Sequence, residues 1–163
     1  MHRLRIVALA VLLAIALLPG AQAGEAEPLA GRDGIRIEDA YARAAGAAAR
    51  SGAVYLTLAN TGTAEDTLLS VTGDAAARIE IHSTVVEDGI ARMQPHTDGL
   101  PLPPGARVSL APGGLHIMLL GLTRPLAEGD TVDLTFVFEH AGAIPAAVPV
   151  DLARGMPGGQ HTH

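Results

Sequence analysis

A single-domain, all-β chain folded as an antiparallel β-sandwich is what this sequence predicts, on two observations. Apolar residues alternate with polar or small ones in about nine short segments between residues 35 and 151. Gly, Pro, Asn and Asp punctuate the chain between those segments. There is no cysteine, so the fold is held by packing without disulfides.

Taken in order, the segments begin with IRIED (35–39) and GAVYLTLAN (52–60), where Val54, Leu56 and Leu58 alternate with Tyr55 and Thr57. TLLSV (67–71) follows, then RIEIHSTVV (78–86), which turns Ile79 and Ile81 to the core. IARM (90–93), RVSL (107–110) and LHIMLL (115–120) come next. In TVDLTFVF (131–138), Val132, Leu134, Phe136 and Phe138 share one face, and AIPAAVPVD (143–151) closes the set. This spacing of short strands and turns suits a sandwich. One segment dissents: DAYARAAGAAAR (39–50) has helix propensity but is interrupted by Gly46, and is expected to be a loop or one helical turn. The domain is expected over 35–152, between a flexible leader (24–34) and a flexible Met- and His-containing tail (153–163).

The first 23 residues have a basic start (Arg3, Arg5), an apolar run from Ile6 to Leu18 and a small-residue pattern at Ala21-Gln22-Ala23. These are the marks of a secretory signal peptide (1–23) cleaved before Gly24. The apolar run is shorter than the ~20 residues that span a bilayer. Removing 23 of 163 residues leaves 140, enough for one domain with a full core. The formal charge of −6 becomes −8 without Arg3 and Arg5. An acidic chain with four aromatic residues (Tyr41, Tyr55, Phe136, Phe138) argues against nucleic acid and against docking on anionic lipid. Without cysteine, any soft-metal chemistry has to run on methionine and histidine.

In the segment Gly113 to Leu122, Leu115, Ile117 and Leu119 share a face, which turns His116 and Met118 together to the other side. Upstream, Asp88-Gly89 is a strong two-residue hairpin signal. That turn pairs Glu87 with Ile90 and sets Met93 opposite Thr84, on the face that also carries His82 and Glu80. The result is two pairs, His82 with Met93 and His116 with Met118, each joining an imidazole nitrogen to a thioether sulfur. Thioethers select Cu(I), whereas zinc favours thiolate, imidazole or carboxylate. On periodicity alone the two methionines read equally well as core filler. His96 sits on the opposite parity and reads as a loop residue, and His140 as structural. No phosphate loop, HExxH or GxSxG context is present.

The chain resembles the bacterial periplasmic copper chaperones written PCu(A)C. The resemblance covers about residues 35–152 and rests on GAVYLTLANTG, IEIH, DGIARM, LAPGGLHIMLLGL, PLAEGDTVDLTFVFEHAG and the closing VPV. It implies a cupredoxin-like sandwich that is not an enzyme. It also implies a Cu(I) site at His82, Met93, His116 and Met118, where the family's His, Met and His-x-Met positions fall. Some members carry a Met directly after the first His, where this chain has Ser83, and the gap from Met93 to His116 is about one residue longer than usual. The implied partner is the Cu(A)-containing subunit of cytochrome c oxidase, through or alongside a thioredoxin-like copper assembly factor. The implied protein is a periplasmic monomer with no membrane insertion after signal cleavage. A second, Cu(II) site is expected at Met156, His161 and His163 of the tail, since some members carry a Met- and His-rich extension. A copper buffer or resistance protein using the same donors, and a metal-free interaction module, are the rival readings. A blue-copper electron carrier is disfavoured because that site needs a cysteine thiolate.

Overall fold

The computed structural model describes residues 28–154. Eleven strands form its framework: β1 (Ala30–Arg32), β2 (Ile35–Ala44), β3 (Ser51–Asn60), β4 (Asp66–Thr72), β5 (Ala76–Glu87), β6 (Ile90–Pro95), β7 (Leu100–Leu102), β8 (Arg107–Leu110), β9 (His116–Leu122), β10 (Thr131–Phe138) and β11 (Ala143–Pro149). No helix occurs among the described residues. The larger sheet runs β1-β2-β3-β9-β5-β6, with β8 also paired to β3; the smaller runs β11-β10-β4-β7. Every ladder is antiparallel.

The core lies between the sheets. Val132, Leu134, Phe136 and Phe138 of β10 are all buried, as their period-two spacing requires. They belong to one apolar cluster with Ile37, Leu58, Ile117 and Leu119 of the larger sheet, each of which has no exposed surface. Each such side chain contributes roughly 1.5–3 kcal/mol relative to leaving it in water.

Four sequence expectations change. Residues 39–44, expected as loop or helical turn, continue β2. Its register to β3 shifts between Glu38 and Tyr41, and Asp39 takes φ 54° at the shift. Two residues there oppose one, which is a β-bulge. Tertiary pairing has overridden a weak helix propensity. The end of the expected flexible leader forms β1, because Ala30–Arg32 pairs with Ile35–Ile37 across a tight turn at Asp33 and Gly34. Strand β7 lies between the segments expected as strands, in a Pro-rich stretch, and it is an edge strand, where Pro101 costs no interior ladder bond. The first tail residues are tied down: the Asp151 carboxylate accepts the N–H groups of Ala153 (3.1 Å) and Arg154 (2.8 Å).

Buried Asp66 joins the β10–β11 connection to β4. Its carboxylate accepts the backbone N–H groups of Thr67 (2.7 Å), His140 (3.0 Å) and Ala141 (2.9 Å). Burial pushes its pKa upward, but the three donors outweigh burial and hold it below the usual carboxylate range. The folded state therefore binds this proton less readily than the unfolded chain. Its stabilisation is complete above the ordinary value near ~3.9 and is lost as pH falls through the depressed value. Replacing Asp66 by Ala should lower the unfolding free energy by about 2–3 kcal/mol in urea titrations at neutral pH. The same series repeated down to acid pH should show a shallower acid limb in the variant than in the parent.

Candidate metal centre

The sequence of the β5–β6 hairpin dictates where Met93 points. Asp88 and Gly89 adopt φ 52° and 77°, the left-handed pair of a two-residue primed turn. Glu87 then pairs with Ile90 and Thr84 with Met93, as the turn chemistry predicts. On the other side of β5, strand β9 pairs His116 with His82, Ile117 with Ile81 and Met118 with Glu80. Ile81 and Ile117 are buried in the core. Their neighbours His82, His116 and Met118 therefore lie on the outer face of the larger sheet, with Met93.

Met93, His116 and Met118 line one open trough of about 490 Å³, together with Tyr55, Thr84 and small residues of β3 and the adjoining loop. His82 does not line it. Its ring sits beside that of His116, centroids 5.8 Å apart and inclined by 60°. The four positions differ sharply in cover: His116 is 5% exposed and Met93 61%. Met156, His161 and His163, together with the signal-peptide stretch 1–23, lie outside the described residues. His96 is in the loop after β6, and the exposed His140 ring lies 3.9 Å from Asp66.

Each imidazole has one nitrogen held by the protein. His116 Nδ1 donates to the carbonyl of Gly114 at 3.0 Å, which leaves Nε2 as the lone-pair nitrogen. His82 Nε2 lies 2.9 Å from Glu80 Oε2. That bond to His82, with help from Arg78, keeps the Glu80 carboxyl below its ordinary pKa. His82 Nδ1 is buried and has no partner among the described residues. Among those residues, no group of three or more His, Asp and Glu side chains is placed to hold a metal. The donors available here are two imidazoles and two thioethers, a set that suits Cu(I).

Sequence reasoning put Glu80 on this face but missed its bond to His82; the i, i+2 spacing carried the signal. It also missed an aromatic row across four strands. From Tyr41 the centroid steps are 5.2 Å to Tyr55, 6.3 Å to His116 and 5.8 Å to His82. Only the bulge at Asp39 brings Tyr41 to the outer face, and no pattern in the sequence announces it. The Arg154 guanidinium covers Tyr41 at 4.5 Å, and Arg43 on the trough wall donates to the Arg154 carbonyl at 3.2 Å.

Residues 35–150 match the model of the LpqE-like lipoprotein family. The chain belongs to this LpqE-like, PCuAC-type family. A lipoprotein of Leifsonia xyli subsp. xyli, Lxx21020, is 36% identical over 72% of this chain and 70% of its own length. Among solved structures, the copper-bound PCuAC domain of PmoF2 matches with a TM-score of 0.62, at 25% identity, over 75% of this chain and 96% of that one. The Cu(I) form of DR1885 from Deinococcus radiodurans matches with a TM-score of 0.57, at 27% identity, over 71% and 78%.

The hairpin that carries Met93 depends on Gly89, where an added Cβ meets no atom within 4 Å and the cost of a side chain is conformational alone. Gly89→Ala should destabilise the fold by about 1 kcal/mol, seen as a lower unfolding midpoint with an unchanged far-ultraviolet spectrum.

Proposed function

We propose that this PCuAC-type protein is an extracytoplasmic Cu(I) carrier that delivers its ion to the Cu(A) centre of cytochrome c oxidase, with no bond-making role. The observation that carries the reading is the convergence of Met93, His116 and Met118 on one trough with the His82 ring beside them. Two imidazole and two thioether donors form a soft, uncharged set with no thiolate to oxidise outside the cytosol. The copper-bound form of the PmoF2 domain and the Cu(I) form of DR1885, both similar in fold and 25% and 27% identical, support copper as the cargo.

In this reading the chain is exported by its first 23 residues and works as a periplasmic monomer. No described helix is long and apolar enough to cross a membrane. The acceptor is the Cu(A)-bearing oxidase subunit, with a thioredoxin-like assembly factor on the route. The tail supplies a second, Cu(II) position at Met156, His161 and His163.

The mature chain should take up one equivalent of Cu(I) under reducing conditions, in competition with a chromogenic chelator. Replacing Met93 and Met118 together by Leu should abolish uptake and leave the fold intact, since Leu conserves volume. Uptake undiminished in the double variant overturns the site. A copper store would use the same donors, and normal oxidase assembly in a deletion strain at limiting copper would favour that role over delivery. No uptake by the parent would leave a metal-free interaction module.

A further inference from the structure

The two histidines are not equivalent. A backbone carbonyl can only accept, so His116 Nδ1 bears the proton and Nε2 the lone pair. At His82 the arrangement is reversed. Glu80, ionised, offers only acceptor oxygens, so the nitrogen bonded to it, Nε2, bears the proton. In a neutral His82 the lone pair is then on Nδ1, a buried side-chain atom that no group among the described residues satisfies. An unsatisfied buried acceptor costs free energy, and a ligand that takes it up recovers the loss.

The Glu80 Oε2 atom faces His82, and Oε1 lies 3.5 Å from Nη1 of the exposed Arg78. Glu80 also pairs across the ladder with Met118, which sets it in the row of side chains next to His82 and His116. A carboxylate on the far nitrogen of a metal-binding imidazole fixes its tautomer and ring orientation and raises its basicity.

We propose that Glu80 is a positioning residue: it holds His82 as the Nε2–H tautomer, so that copper is bound by Nδ1 of His82 and by Nε2 of His116. This rests on the Cu(I) reading of the site and goes further, by naming the donor atoms and the residue that selects one of them. Glu80 itself does not touch the ion. Its carboxylate acts only through the ring of His82.

Long-range proton–nitrogen spectra of the full mature chain, without and with one equivalent of Cu(I), test this directly. Expected for the parent is a protonated Nε2 at His82 in both states, with the Nδ1 resonance moving on copper addition; at His116 the roles are exchanged. Glu80→Ala should mix the two His82 tautomers and weaken Cu(I) binding about 10- to 100-fold. Glu80→Gln, whose amide oxygen still accepts from Nε2–H, should keep the tautomer and most of the affinity, which a loss of folding or packing would not do. If copper binds and shifts Nε2 of His82, or if Glu80→Ala leaves tautomer and affinity unchanged, the inference is wrong while the copper site stands. If the parent takes up no Cu(I), both fall.

Discussion

The registration of β5 against β9, with His82 opposite His116, is the constraint on which the rest of the site depends. Side chains alternate between the faces of a sheet, so a slip of one residue would exchange every inner and outer position. A slip of β5 would drive His82 into the sandwich and bring Ile81 into water. The loss is roughly 1.5–3 kcal/mol for that isoleucine before any polar burial is counted. The apolar core therefore holds the polar face in place. No direct interaction between the two histidines is needed to explain their proximity.

Two local irregularities extend this control. The Asp88-Gly89 turn passes the parity of β5 to β6 and so determines the side on which Met93 emerges. The bulge at Asp39 does the opposite within β2, reversing parity in mid-strand. Ile35 and Ile37 face inward before it, and Ala42 and Ala44 after it, so Tyr41 emerges outward against Tyr55. Aspartate tolerates the left-handed conformation better than most residues, which makes this position a workable place for the change. Residues 151–154 then close over Tyr41, where the backbone N–H of Asp151 donates to the carbonyl of Ala42 at 3.0 Å and Arg154 lies on the ring.

Much of this was legible in the residues. The alternation in β10 and β9 and the Asp-Gly turn are local signals with a physical cause, and they placed the core and the face of each candidate donor. What could not be read is non-local. β1 and β7 are three-residue strands whose existence depends on the neighbour they pair with, since a segment such as Leu100–Leu102, with proline at its centre, has little preference of its own. The bulge arises from pairing with β3, against the propensity of an alanine-rich segment. The bond from Glu80 to His82 was visible only as spacing, because rotamers decide whether i and i+2 carboxylate and imidazole meet. The separation of His82 from the trough lining belongs to the same class.

The arrangement of the four residues is lopsided. His116 and Met118 stand on β9, an interior strand with ladders on both sides, whereas Met93 stands on β6, an outermost strand whose six residues are all exposed. On the copper reading, this asymmetry sets the order in which bonds are exchanged. An approaching thiolate or thioether would meet the peripheral sulfur first and could substitute for it while the buried imidazole still held the ion. On that reading the ion would change hands by stepwise replacement, without an interval as a free aqueous species.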